Sequence, residues 1–82
     1  MEDIVLLTEH LVKSVVKQAD LVKVQSFEDD DENQILEVLV HNDDMGLVIG
    51  KGGKMINSIR TLVQAAAYNK GLNKVRINVE SF

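Results

Sequence analysis

Three glycines within four positions, Gly50-Lys51-Gly52-Gly53, interrupt an apolar, helix-like run and constrain this chain more than any other stretch. On the near side, Met45 to Ile49 is long enough for only a short helix. On the far side, Met55, Ile56, Ile59, Leu62, Val63, Ala66 and Ala67 recur at helical spacing, with Asn57, Arg60, Thr61 and Gln64 on the wet side. The chain must therefore turn sharply between two helices. Glycine permits positive φ there and lets another molecule approach the main chain with no Cβ in the way. Lys51 and Lys54 add positive charge, so the turn is a candidate phosphate grip.

The remaining segments follow from changes of period. Ile4, Leu7, Leu11 and Val15, widened by Val5, Val12 and Val16, predict an amphipathic first helix, with Glu2 and Asp3 at its start and Lys13 and Lys17 near its end. The breadth of that stripe answers to deep burial or to a partner surface. Val22 and Val24 then alternate with Lys23 and Gln25, and Leu36, Val38 and Val40 alternate with Glu37 and His41, which predicts two strands. Between them Glu28-Asp29-Asp30-Asp31-Glu32-Asn33 repels itself and reads as a solvated turn. Its spacing does not fit an EF-hand loop. Asn42, Asp43 and Asp44 offer N-caps for the short helix. Lys70 and Gly71 close the long helix, and Val75, Ile77 and Val79 alternate in a last strand. The order αββααβ predicts an α+β two-layer sandwich in which a three-stranded mixed sheet carries three helices on one face. The first two strands are expected to be antiparallel, and the second and third parallel through a right-handed crossover.

At 82 residues the chain is one small domain with room for a single modest core. The absence of cysteine removes disulfides and thiolate metal sites, and the absence of a signal-like or membrane-length apolar run sets the expectation of a cytoplasmic protein. The net charge of -4 conceals an asymmetry. Residues 1 to 50 hold three basic and twelve acidic side chains, a net of -9, whereas residues 51 to 82 hold six basic and one acidic, a net of +5. Ordinary solvated charge could give such totals, and so could one cationic face on an acidic body.

The run Gly46-Leu47-Val48-Ile49-Gly50-Lys51-Gly52-Gly53-Lys54-Met55-Ile56, followed by Ile59-Arg60-Thr61-Leu62 and preceded by Asp44-Met45, resembles the KH-domain signature, a G-x-x-G loop between two short helices. The element order resembles the type II KH fold, and the whole chain is similar in length to the KhpA-like group of single-KH bacterial proteins. That resemblance implies binding of about four nucleotides of single-stranded RNA in a narrow groove, with the loop clamping the backbone. It places Gly50, Lys51, Gly52, Gly53 and Lys54 at the backbone and Gly46, Leu47, Ile49 and Ile77 along the aliphatic groove. Asn57, Arg60, Lys70, Lys74 and Arg76 are further candidates, with Arg60 and Arg76 at its rim and Lys70 and Lys74 bracketing the connection that overhangs the groove in type II modules. Leu47 departs from the group, which often has a basic residue at that position. The resemblance also implies pairing, either as a homodimer or with a larger KH-containing protein of the KhpB type. A role as post-transcriptional regulator or RNA chaperone goes with it.

Other readings of the glycine turn fail on spacing. Gly46-x-x-x-Gly50-Lys51-Gly52 is one residue short of a P-loop and lacks the Ser or Thr that would hold magnesium. The dinucleotide fingerprint lacks its last glycine, since Met55 stands there. Phe27, Tyr68 and Phe82 are the only aromatic residues, too few for the stacking sheet of an RRM or OB-fold. His10 and His41 have no nucleophile or ligand-spaced carboxylate beside them, so no enzyme, cofactor or metal is expected.

Overall fold

The structure, a computed structural model, describes residues 2 to 31 and 33 to 82. Glu32 of the acidic turn lies outside the described residues. The elements are α1 (Glu2–Lys13), β1 (Lys23–Glu28), β2 (Gln34–Val40), α2 (Met45–Ile49), α3 (Lys54–Asn69) and β3 (Val75–Ser81), with 3-10 turns at Ala19–Leu21, Asn42–Asp44 and Lys51–Gly53. The sheet order is β1-β2-β3, with β1 antiparallel and β3 parallel to the central strand. This is the mixed αββααβ sandwich that the periodicity predicts.

The core forms where the alternating strands meet the helices. Leu36, Val38 and Val40 of β2 are fully buried, flanked by Val22, Val75 and Ile77, and covered by Ile4 and Val12 of α1, Val48 of α2 and Ile56, Ile59, Val63 and Ala67 of α3. The innermost line of α1 runs through Ile4, Thr8 and Val12, not through Leu7 and Leu11, which are only partly buried. Thr8 tolerates this position because its hydroxyl donates to the Ile4 carbonyl at 2.8 Å, one turn back along its own helix. On α3, Leu62 is 55% exposed although its spacing suggests the core. The buried stripe of that helix is narrower, at residues 56, 59, 63 and 67.

The opposite sheet face is less wet than simple alternation suggests. The pairing register sets Phe27, Ile35 and Arg76 in one row and Lys23, Leu39 and Glu80 in another. Ile35 and Leu39 are half-buried there, and the Lys23 ammonium stands 6.0 Å from the centroid of the Phe82 ring. The acidic turn at the end of β1 is built around Asp29. Its Oδ1 accepts from the backbone N–H of Asp31 and of Asn33, both at 2.9 Å. These bonds hold its carboxyl below the usual value, the Asn33 N–H having the largest effect.

Candidate nucleic-acid interface

The glycine turn is a backbone feature first. α2 ends where Gly50 N–H donates to the Gly46 carbonyl at 2.9 Å, and Gly50 then adopts φ 76° and ψ 172°, a conformation open essentially to glycine alone. A Cβ at Gly50 would lie 2.7 Å from the Met55 Cβ and 2.8 Å from the Met55 nitrogen, so the turn is folded directly against the start of α3. Gly52, at φ 64°, has nothing within 4 Å of where its Cβ would be. The turn thus has one packed glycine and one facing open space. Gly53 stands at the N-cap of α3 without any side-chain cap, which leaves the positive end of a 16-residue helix beside the exposed Lys51 and Lys54.

Along α2, Gly46 is exposed, Leu47 is 40% exposed and Ile49 is half-buried, while Val48 between them is in the core. These three residues form an aliphatic shoulder next to the turn. Beyond Lys54, α3 presents Asn57 above a shallow depression shared with Ser58, Thr61 and Leu62.

A larger trough, about 800 Å³, lies between α3 and β3. Arg60, Gln64 and Tyr68 line it from the helix, and Lys74, Arg76 and Ile77 line it from the connection and the strand. Because β3 is an edge strand, its outer backbone groups need partners, and α3 supplies them for two of these groups. Arg60 Nη2 donates to the Ile77 carbonyl at 3.0 Å, and Gln64 Oε1 accepts from the Val75 N–H at 2.9 Å while its Nε2 donates to the Asn73 carbonyl at 3.1 Å. The same bonds hold the trough's wall and the connection before β3 in place. Among the described residues no carboxylate lines it, whereas Arg60, Lys74 and Arg76 all do.

All but Asn57 and Lys70 of the candidate residues named from sequence fall into two groups. Gly46, Leu47, Ile49, Gly50, Lys51, Gly52, Gly53 and Lys54 gather at the turn, and Arg60, Lys74, Arg76 and Ile77 gather at the trough. Ile77 is buried at 4% exposure, so it contributes floor rather than rim. Lys70 goes elsewhere: its ammonium is 2.8 Å from the Asp3 carboxylate at the start of α1, and that bond holds the Asp3 carboxyl below its usual value. Arg76 borders the trough from the far face of the edge strand, since it alternates with Val75 and Ile77 onto the open side of the sheet, where its charge also acts on Asp29. Sequence reasoning misses Gln64 and Tyr68 as parts of this wall. Their spacing from Arg60, one and two helical turns on, is the signal that would find them.

A model of the family described as KhpA/KhpB, KH domain, matches residues 6–79 of the chain. The chain belongs to the KhpA/KhpB KH-domain family. The RNA-binding protein KhpA of Halalkalibacterium halodurans is 41% identical over 73 residues, covering 89% of this chain and 93% of that protein. The KhpA of Streptomyces coelicolor is 46% identical over 57 residues, covering 70% and 71%. Among solved structures, Aquifex aeolicus Era bound to GDP and aluminium fluoride superposes with a TM-score of 0.65 at 13% identity, over 96% of this chain and 30% of Era. A second Era structure, in complex with MgGDPNP and nucleotides 1506–1542 of 16S ribosomal RNA, gives a TM-score of 0.60 at 13% identity. The KhpA/KhpB-type chain spans under a third of Era, and at this identity the likeness is one of fold.

Among the described residues no helix is long and apolar enough to cross a membrane, and no three His, Cys, Asp or Glu side chains gather to hold a metal ion.

Proposed function

We propose that the protein binds single-stranded RNA, about four nucleotides at a time, with the Gly50–Gly53 turn on the sugar-phosphate backbone. The observation that carries this reading is the uncapped start of α3, where Lys51 and Lys54 stand exposed beside open backbone at Gly52. Anionic phosphate is favoured by the helix dipole and by both ammonium groups, and no Cβ obstructs its approach at Gly52. The aliphatic shoulder of Gly46, Leu47 and half-buried Ile49 offers apolar surface for bases, and the trough, lined by no carboxylate among the described residues, continues the cationic surface along α3. Names borne by the relatives, RNA-binding protein KhpA, agree with this reading. Binding without catalysis suits a post-transcriptional regulator or RNA chaperone working in the cytoplasm.

The test is the double variant Lys51→Asp with Gly52→Asp. Gly52 sits in open space in the left-handed region that aspartate tolerates, so the variant is expected to keep its circular dichroism spectrum. Its affinity for mixed-sequence single-stranded RNA is expected to be lost. The log-log salt slope of wild-type binding should be steep, and Lys51→Gln should reduce it by about 0.7 per phosphate contact removed. Unchanged affinity in a folded double variant would sink the reading.

A second reading, pairing through the helical layer with another copy or with a larger KH-containing protein, is favoured by Leu6 and Leu62, which are 56% and 55% exposed on α1 and α3. The two readings are compatible, because two linked grooves on one RNA gain avidity. Sedimentation across a concentration range distinguishes a self-associating protein from a monomer.

A further inference from the structure

We infer that Tyr68 provides a stacking face for one nucleobase at the end of the trough remote from the glycine turn, beyond the four nucleotides of the KH grip. This rests on the RNA-binding reading and extends it. Three features of the structure point to a base at this place. Arg60, Gln64 and Tyr68 form one line along α3, and Tyr68 is 63% exposed on the trough wall with its ring outside the core that Ile56, Ile59, Val63 and Ala67 complete. Arg60, Lys74 and Arg76 border the trough and, among the described residues, no carboxylate lines it, which suits a polyanionic strand and disfavours a basic peptide. Finally, the side chains of Arg60 and Gln64 are bonded to β3 and to the connection before it, so the wall is ordered before any ligand arrives.

Distance separates this position from the grip. Tyr68 follows Lys54 by fourteen residues, about 21 Å along the helix axis at about 1.5 Å per residue. A stacked single strand advances about 3.4 Å per nucleotide, so a strand held at the turn needs more than four nucleotides to reach the ring. A base–aromatic stack strengthens binding by about tenfold, toward the lower end of the usual range.

Tyr68 is the sole tyrosine and the chain has no tryptophan, so its intrinsic fluorescence reports this position alone. The experiment titrates the full chain with mixed-sequence single-stranded RNAs of four and of eight nucleotides, following affinity and tyrosine emission. The longer RNA is expected to bind about tenfold more tightly and to quench Tyr68 more strongly than the shorter one. In Tyr68→Ala the ratio of the two affinities is expected to fall close to that of a strand with no stacking partner, whereas Tyr68→Phe keeps it. Circular dichroism checks that both variants fold, as an exposed side chain predicts. An unchanged length ratio in folded Tyr68→Ala, or wild-type binding with no change in tyrosine emission, overturns the inference while leaving the KH grip standing. Failure of the wild type to bind RNA of either length overturns both.

Discussion

Asp44 Oδ2 accepts a hydrogen bond from the backbone N–H of Gln18 at 2.9 Å, although the two residues are 26 positions apart. Asp44 is only 1% exposed and precedes α2, yet its side chain makes no cap on that helix. The carboxylate instead ties the α1–β1 connection to the entry of the helix that leads into the glycine turn. Removing it strands a partly buried N–H, which typically costs about 1–3 kcal/mol. Asp44→Ala is expected to lose stability of that order in urea denaturation, and Asp44→Asn, which keeps an acceptor oxygen, to lose less. Equal stability of the alanine variant and the wild type would show that the connection is held by other contacts.

The two glycines of the turn are expected to respond differently to a methyl group. At Gly50 the added carbon meets Met55 at 2.7 Å in a backbone region nearly closed to other residues, whereas at Gly52 it meets nothing. Gly52→Ala has only the left-handed conformation to overcome, about 1–2 kcal/mol. Gly50→Ala has a larger conformational cost plus displacement of the first turn of α3, so its thermal midpoint should fall well below that of Gly52→Ala. Matching midpoints would contradict the close approach at Met55.

Acid should loosen the β1–β2 turn. The Asp29 carboxyl is held below its ordinary 3.8 first by the Asn33 backbone N–H, with Arg76 a smaller influence. A carboxyl depressed in the folded state contributes stability that is fully present well above the unfolded value and is lost as pH falls through the lower folded value. Asp29→Ala is therefore expected to be less stable than the wild type at neutral pH, and the gap should close as pH falls below 3.8. A gap independent of pH across that range would mean that the carboxylate's bonds do not support the turn.

Much of the candidate interface is legible in the order of residues alone. The glycine turn, both lysines beside it and the aliphatic shoulder of Gly46, Leu47 and Ile49 occupy the places their spacing implies, because each is a local feature of the chain where a short helix gives way to a long one. Lys70 is not legible in this way, since its closeness in sequence to Lys74 says nothing of Asp3, 67 positions away, which is its partner in space. Periodicity puts Gln64 on the wet side of α3, whereas its amide pins two backbone groups at the edge of the sheet. The cap expected from an aspartate fails for the same reason: His41 Nδ1 accepts from the Asp43 N–H at 3.1 Å, and Asp44 serves a distant loop.

By itself the sequence determined the element order, the place of the turn and the segregation of positive charge after it. Period two, period 3.6 and glycine backbone freedom act over a few neighbouring residues, so they are written where they operate. Only the tertiary structure decided that Thr8 lies deeper than Leu7, that Leu62 faces outward and that Arg60, Gln64 and Tyr68 close a trough against β3. Those outcomes depend on how helices seat on a sheet, where a turn of a few degrees exchanges one neighbouring side chain for another. Close packing then admits one arrangement, and a hydroxyl that can bond its own helix is cheaper to bury there than its place in a hydropathy pattern implies.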